Sequence, residues 1–177
     1  SFGNWVVVYL IGTLLLAVAL QEAGTIRRIT MWFLTRNYAK KNPWNFTFMF
    51  FAAALVIGLF LDVTTTQFFM FFIAYEVFTE LGFKKGDAWP KIVITGLTFT
   101  AILTFAMTPI CHTLPILFMG ILSSITHEPV NFLSYMMVGI PIGLIIWVIM
   151  LVWFRYFVKP DVSQFANVDF HVFDKKR

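Results

Sequence analysis

The sequence predicts an all-α integral membrane protein with about five membrane-embedded helical segments. Of its 177 residues, 59% are hydrophobic and only 12% are charged, against roughly 25% charged residues in soluble domains. Several apolar runs approach or exceed the roughly 18 to 20 residues that a helix needs to cross a bilayer. These runs are residues 5–20, 44–61, 68–83 and 132–154. A soluble core does not require such runs, so we expect the lipid bilayer to surround the chain.

The basic residues predict the orientation of the chain in the membrane. All 13 lysines and arginines lie in four clusters, while the loops 1–4 and 123–131 contain none. Cytoplasmic loops are enriched in Lys and Arg, so we expect all four clusters in the cytoplasm of a plasma or inner membrane, with the N-terminus outside. The net charge of +4 then reports orientation, and no nucleic-acid partner is implied. The clusters are residues 27–41, 84–91, 155–159 and 175–177.

The first two segments are interpreted as a spanning helix and a helix in the membrane interface. Residues 1–24 contain the first apolar run, and residues 25–41 are basic. A helix over the basic segment would gather its large apolar side chains on one face, as interfacial helices do. We expect Asn42-Pro43 to end this helix, because the residue before a proline disfavours helical geometry. The expected apolar face consists of Ile26, Ile29, Trp32 and Phe33.

Residues 42–83 are predicted to form a helical hairpin, because both ends lie in basic clusters. Its polar tip is expected at residues 62–67. Each leg of about 18 residues would be about 27 Å long, so both legs could span the bilayer with the tip in the outer headgroups. Alternatively, the hairpin is re-entrant and its tip lies in a polar cavity inside the membrane. The absence of Gly, Pro and Asn from the tip favours the buried position.

Two glutamates, Glu76 and Glu80, lie one turn apart near the end of the second leg. A charged side chain within the bilayer is costly. We therefore expect both carboxylates to reach the interface and meet Lys84 or Lys85.

The segment 91–125 is predicted to be a spanning helix with a break at 107–115. One crossing needs far fewer residues than this segment contains, and Pro109 and Pro115 each remove a backbone donor and clash with the preceding turn. The carbonyls that the break frees need partners, which Thr108, His112 and Thr113 could supply. Discontinuous helices of this kind are typical of secondary transporters.

The end of the chain is predicted to be one more spanning helix and a tail. Residues 126–158 contain a long apolar run, and the Gly-Ile-Pro-Ile-Gly sequence at 139–143 is expected to introduce a second kink. Residues 159–177 are more polar, and we expect a cytoplasmic tail. The single cysteine, Cys111, excludes an intrachain disulfide.

The order of these features resembles that of the divalent-anion/sodium symporters, which are the dicarboxylate, citrate and sulfate carriers of the ion-transporter superfamily. The similar stretches are LQEAGTIRRI at 20–29, LFLDVTTTQFFMFFIA at 59–74, the broken helix and the GIP of the last span. The resemblance implies that most of the chain forms the first half of an inverted-repeat transporter fold. It also implies a homodimer, and a second half or a second copy that completes the site. We expect the chain to be part of something longer.

The resemblance also implies a binding site at the hairpin tip and the break. In the family, a Ser-Asn-Thr tip and a Gly-Thr-Pro-Pro-Asn turn hold sodium and the substrate carboxylate. Here the aligned residues are 62–64, of which only Thr64 is retained, and 111–115. Asp62 and Thr64 are the candidate sodium ligands, but Asp62 and His112 can both titrate, so protons are an alternative coupling ion. No other cofactor is expected. The candidate ion- and substrate-binding residues are Asp62, Val63, Thr64, Thr65, Thr108, Cys111, His112 and Thr113.

These features favour a secondary-active transporter, or half of one, for a small anion such as a dicarboxylate, coupled to sodium or protons. The alternative is a non-transporting membrane subunit or scaffold derived from the same fold, which the altered motifs favour. An intramembrane enzyme is disfavoured, because the adjacent Cys111 and His112 would point about 100° apart on a helix. The transporter interpretation requires the hairpin tip and the break to lie together.

Overall fold

The computed structural model describes residues 5–158 except 41, 85, 111 and 129. The all-α prediction is confirmed for these residues. Cys111 and the expected tail at 159–177 lie outside the described residues. In chain order the helices are α1 (Trp5–Glu22), α2 (Thr25–Leu34), α3 (Asn37–Lys40), α4 (Pro43–Gly58), α5 (Val63–Glu80), α6 (Ala88–Met107), α7 (Thr113–Thr126) and α8 (Phe132–Trp153), which continues as a π-helical turn over Phe154–Val158.

Helix α6 is the centre of the fold. The two hairpin legs, α4 and α5, both pack against α6, and they contact α6 more than they contact each other. Helix α8 packs on another side of α6, while α2 and α3 pack on α4. Trp89, Val93, Leu97 and Met107 of α6 are accordingly buried. The position of the hairpin is therefore set by α6.

Two glycines allow helices to approach α6 closely at its C-terminal end. A Cβ added at Gly58, the last residue of α4, would lie 2.5 Å from Thr104 Oγ1. A Cβ added at Gly139 of α8 would lie 2.9 Å from the carbonyl oxygens of Ala106 and Met107. Real side chains do not fit at such distances, so both positions bring backbone against the end of α6.

Two helices in the described part of the chain are long and apolar enough to cross a membrane. They are Ala88–Met107, with 20 residues, and Phe132–Val158, with 27 residues. Helices α4 and α7 are shorter apolar helices. Most large apolar side chains of α8 are exposed, which is typical of contact with lipid or with another protein.

Helix α2 buries one face against the rest of the protein. Ile26, Thr30 and Leu34 are buried in α2, whereas Trp32 is 49% exposed. The apolar membrane face expected to include Trp32 stays a prediction. The guanidinium of Arg36 lies 3.9 Å from the centroid of the Trp32 ring. A cation over an aromatic face is attracted by the ring quadrupole, which stabilises this exposed position.

Asn42 and Pro43 begin a helix, whereas we expected them to end one. Helix α2 already stops at Leu34. The Asn42 side chain accepts a hydrogen bond of 3.0 Å from the backbone N–H of Trp44, and Pro43 is the first residue of α4. Proline is favoured there because its missing N–H would have no helical partner.

One expectation about the later segments needs correction. Glu76 pairs with Arg27 of α2, at 3.8 Å between Oε2 and Nη2, and not with Lys84. Both side chains are largely exposed, so the pair is worth about 0 to 1 kcal/mol. Pro141 lies inside α8, which continues to Trp153, and the kink expected at 139–143 stays a prediction.

Candidate functional site

The hairpin turn is formed by residues 59–62, and α5 begins at Val63. The expected tip at 62–67 is thus displaced, and only Asp62 lies in the turn itself. Asp62 is the N-cap of α5: Oδ1 accepts a 2.8 Å hydrogen bond from Thr65 N, and Oδ2 accepts one of 3.0 Å from Thr65 Oγ1. Aspartate is among the preferred N-cap residues. The aspartate before three threonines was therefore a helix-start signal.

The second part of the site is the stretch 108–112, called the break below, which separates α6 from α7. Thr108 is extended, with φ −135° and ψ 145°. The following Pro109 explains this conformation, because the residue before a proline is driven away from helical geometry. Pro115 does not interrupt a helix. It is the third residue of α7, where a missing N–H costs no helical hydrogen bond.

Side chains of the break close the C-terminal end of the first hairpin leg. Thr108 Oγ1 donates a hydrogen bond of 3.0 Å to the carbonyl of Leu59. The imidazole of His112 interacts with the Gly58 backbone through a hydrogen bond and with the Asp62 carboxylate electrostatically. The last carbonyls of a helix lack helical partners, so these contacts satisfy groups that the turn leaves free. The hairpin turn and the break are thus in direct contact.

Two buried polar atoms, one in the second hairpin leg and one in the break, have no hydrogen-bond partner within the described part of the chain. They are Thr66 Oγ1, in the first turns of α5, and His112 Nε2. Thr66 is 0% exposed and His112 is 2% exposed. Leaving a buried polar group unsatisfied costs about 1 to 3 kcal/mol. Such groups in a native structure require an explanation, and a role in binding a ligand or an ion is one.

Seven other threonines show the arrangement expected of a purely structural role. Their hydroxyls donate to the carbonyl one turn earlier, at 2.8 to 2.9 Å, a local bond common in helices. Thr66 makes no such bond. The threonines that do so are Thr30, Thr35, Thr47, Thr79, Thr95, Thr98 and Thr126.

The helix ends give the site partial charges of both signs. The C-terminus of α4 is a negative helix end, and the N-termini of α5 and α7 are positive ends. Asp62 caps α5. Helix α7 has no side-chain cap, although His112 occupies its N-cap position. Its first N–H groups therefore lack side-chain acceptors, and they are donors that a carboxylate can use.

The structure brings together some of the predicted residues and leaves others at the edge. Asp62 and Thr65 form the α5 cap, and Thr108 and His112 contact α4. The other predicted positions are less enclosed, since Val63 is half-buried and Thr64 and Thr113 are exposed. Within the described residues, no group of three or more His, Cys, Asp and Glu could hold a metal ion. The role of Thr64 as a sodium ligand stays a prediction.

Two residues of the site were absent from the sequence-based set. Thr66 lies one helical turn after Asp62 and is buried, and the four-residue spacing that places two side chains on one helix face was the available signal. Gly58 lies against Thr104. Its signal was a glycine at the end of an apolar run, directly before the polar tip.

Comparison with known proteins gives the family. A family model described as citrate transporter matches residues 1–170 of the chain. No curated protein and no solved structure matches it. The match agrees with the resemblance to carriers of citrate and related anions, and it spans the hairpin, the break and α8. The chain belongs to the citrate transporter family, which is a family of membrane transport proteins and not of enzymes.

Proposed function

We propose that the chain is a secondary-active carrier, or one half of a carrier, for a small anion with carboxylate groups, such as citrate or a dicarboxylate. The observation that carries the proposal is the pair of buried, unpartnered atoms, Thr66 Oγ1 and His112 Nε2. One belongs to the hairpin and the other to the break, and these two elements meet. A substrate or coupling ion between them would satisfy both atoms.

The anion is proposed to bind at the N-terminus of α7. Its uncapped N–H groups provide donors, and the positive helix end favours negative charge. His112 stands at the same helix end, and Nε2 can donate to a carboxylate oxygen when it carries the proton. Thr66 can act as donor or acceptor, so it suits a substrate carboxylate or a cation equally.

The coupling ion is proposed to lie toward Asp62 and the C-terminus of α4. These groups carry negative charge or partial charge, which attracts a sodium ion or a proton. A cation carried with the anion also lowers the cost of bringing several negative charges into the membrane. In this scheme the ion and the substrate occupy opposite sides of one small site.

Uptake into proteoliposomes tests the transport proposal. Labelled citrate and labelled dicarboxylates are presented under a sodium gradient, a pH gradient or neither. We expect accumulation under one gradient and its loss when that gradient is collapsed. Folded protein that gives no substrate-dependent flux under any condition would favour the alternative, a scaffold derived from the transporter fold.

The substitution Asp62→Asn tests whether the Asp62 carboxylate takes part in ion coupling or only caps α5. Asparagine caps helices as well as aspartate does, so we expect an unchanged helix content and thermal midpoint. The loss of the carboxylate should alter the pH profile of uptake if protons are coupled, or weaken the dependence on sodium if sodium is coupled. Asp87→Asn is the control for the loss of a carboxylate outside the site, because Asp87 precedes α6 at the end remote from the hairpin turn and its Oδ2 accepts a hydrogen bond from Lys84 N. Identical profiles for Asp62→Asn and the unmodified chain would restrict Asp62 to capping.

A re-entrant hairpin fits these distances better than a fully spanning one. With 16 residues, α4 is about 24 Å long, against a hydrocarbon core of about 30 Å. Its end contacts the break, and Leu61 in the turn is 2% exposed. The expected orientation follows the basic clusters. Thiol labelling of Tyr38→Cys and Thr126→Cys, with Cys111 replaced by serine, should modify the two positions from opposite sides of the membrane.

The site is proposed to be completed by a second half or a second copy of the chain. The exposed apolar surface of α8 supplies a face for such a partner. We expect the purified protein to have the mass of a dimer in light scattering. A monomer that transports at full rate would contradict this part of the proposal.

A further inference from the structure

A groove of about 860 Å³ lies between α5 and α6, near the ends of these helices that are remote from the hairpin turn. Its floor is apolar and is formed mainly by Phe71, Phe78, Phe83 and Ile94. Its rim contains two lysines, Lys84 and Lys91. This groove shares no residue with the candidate transport site, so it requires a separate explanation.

The rim of the groove favours an anion. Lys84 and Lys91 are exposed, and no acidic side chain of the described residues lines the groove. The nearby carboxylate of Asp87 is directed to the loop backbone, since Oδ2 accepts a hydrogen bond of 2.7 Å from Lys84 N. Glu80 lies at the end of α5 but does not line the groove.

The start of α6 adds a second contribution at the same rim. Asp87 is the N-cap residue of α6, yet it makes no side-chain hydrogen bond to this helix. Pro90, the third residue of α6, lines the groove and has no N–H, so the helix start contributes its positive end and not a set of free donors. A positive helix end beside two lysines favours a negatively charged group such as phosphate.

The floor of the groove has the length of an acyl chain in one leaflet. On α5, the lining residues Phe71, Tyr75, Phe78 and Thr79 recur at helical spacing and share one face. From Phe71 to Thr79 this face extends about 12 Å, and Gly82 and Phe83 continue the lining beyond the helix. One leaflet contributes about 15 Å of hydrocarbon core. Tyr75 is 70% exposed, so the groove is open to the surrounding bilayer along its side.

We propose that this groove binds one anionic phospholipid of the bilayer, with its phosphate at Lys84, Lys91 and the α6 N-terminus and one acyl chain along the phenylalanine floor. A soluble anion would use the rim alone and leave the apolar floor uncovered. A zwitterionic lipid would fill the floor but bring its own cation to the lysines. Basic pockets between membrane helices are suited to acidic lipid headgroups. The lipid would join the second hairpin leg to α6.

Native mass spectrometry of the delipidated chain tests the proposal. The protein is titrated with phosphatidylglycerol or with phosphatidylcholine of the same acyl chains, and the affinity of the first bound lipid is measured. Each lysine near an anionic lipid is worth about fivefold in affinity. We therefore expect the double variant Lys84→Gln/Lys91→Gln to bind phosphatidylglycerol about 25-fold more weakly and phosphatidylcholine with unchanged affinity.

The matched control removes the same charge elsewhere. Arg28→Gln/Arg155→Gln changes two exposed basic residues that do not line the groove, and it should keep the affinity for the first phosphatidylglycerol. Circular dichroism checks that both double variants are folded. If the lysine variant fails to fold, Tyr75→Ala provides a second test, because loss of the side wall should weaken the binding of both lipids.

Three results would overturn the proposal. The first is equal affinity for the two lipids, which would mean a nonspecific apolar groove. The second is an affinity for phosphatidylglycerol that does not change in the lysine variant. The third is displacement of the lipid by glycerol 3-phosphate at a concentration similar to that of the lipid, which would indicate a site for soluble phosphate. None of these measurements depends on transport activity.

Discussion

The two ends of the hairpin differ in whether their buried polar atoms have hydrogen-bond partners. At the end remote from the turn, called the aromatic end below, Trp89 of α6 is surrounded by the rings of Phe46, Phe78 and Phe83, at centroid distances of 6.2, 5.4 and 4.9 Å. Trp89 Nε1 donates a hydrogen bond of 2.8 Å to Thr47 Oγ1. At the other end, Thr66 Oγ1 of α5 and His112 Nε2 of the break are buried and have no hydrogen-bond partner among the described residues.

This difference suggests a division between anchoring and binding. Thr47 accepts from Trp89 and also donates to the Pro43 carbonyl at 2.9 Å, so the aromatic end contains a satisfied polar pair in a packed apolar surrounding. Satisfied buried networks rigidify a structure, whereas unsatisfied groups destabilise it. We infer that the aromatic end fixes both legs to α6. The turn end then keeps polar atoms available for a ligand, at a cost in stability.

Trp89→Ala should give the largest effect and tests the anchoring role. Removal of a buried tryptophan typically costs about 3 to 5 kcal/mol, and Trp89 is 1% exposed. We expect a large fall in the thermal midpoint of the detergent-solubilised protein. Trp89→Phe is the control, since it keeps a ring and loses the hydrogen bond to Thr47, at a cost of about 1 to 3 kcal/mol. An alanine variant as stable as the phenylalanine variant would show that the aromatic end does not anchor the hairpin.

Gly58→Ala should give the next largest effect, at the opposite end. The new Cβ would lie 2.5 Å from Thr104 Oγ1 and 3.0 Å from its Cγ2, and overpacking of this kind costs about 1 to 3 kcal/mol. Since Gly58 also contacts His112, we expect transport to fall with stability. The matched control is Gly12→Ala in α1, where a Cβ meets no atom within 4 Å. Adding Thr104→Ala should restore part of the lost stability, and an absence of rescue would contradict the close approach.

Thr108→Val should destabilise the protein by about 1 kcal/mol. It removes the hydrogen bond to the Leu59 carbonyl while keeping the shape of the side chain, and a typical hydrogen bond contributes about that much. The same substitution at Thr95, whose hydroxyl bonds to a carbonyl of its own helix, serves as the control for an exposed position. Equal thermal midpoints in the two variants would mean that the bond between the break and the hairpin adds no stability.

The sequence identified the elements of the site better than its individual side chains. Pro109 was sufficient to predict the break, because proline interrupts a helix locally. The basic clusters at both ends of residues 42–83 were sufficient to predict the hairpin, because Lys and Arg are enriched on one side of a membrane. The choice among Thr64, Thr65 and Thr66 could not be made in the same way. Helix α5 carries apolar residues on all sides, so its pattern does not show which face meets α6. The pairing of Trp89 with Thr47 is likewise a contact between residues 42 positions apart.

The smallest expected effect, at Thr66, discriminates most sharply between the two ends. Valine has nearly the shape of threonine but no hydroxyl, so Thr66→Val removes an unpartnered buried polar atom and little else. Because such an atom destabilises the folded state, we expect Thr66→Val to raise the stability by about 1 kcal/mol. The same change at Thr47 should lower the stability by about 1 to 3 kcal/mol, because it leaves Trp89 Nε1 without its acceptor.

The ranking of the two variants by transport should be the reverse of their ranking by stability: Thr66→Val should be the more stable but the less active per folded molecule. If Thr66 contributes a ligand to the substrate or the coupling ion, Thr66→Val should weaken uptake about tenfold, since one hydrogen bond of about 1.4 kcal/mol corresponds to that factor. Thr47→Val should retain uptake in proportion to the protein that remains folded, because Thr47 lies in the aromatic end. Thermal denaturation and uptake measured on the same preparations provide both readouts. A Thr66→Val protein that is more stable and fully active would show that the Thr66 hydroxyl has no role in binding. His112 would then be the only one of the two residues left as a candidate ligand.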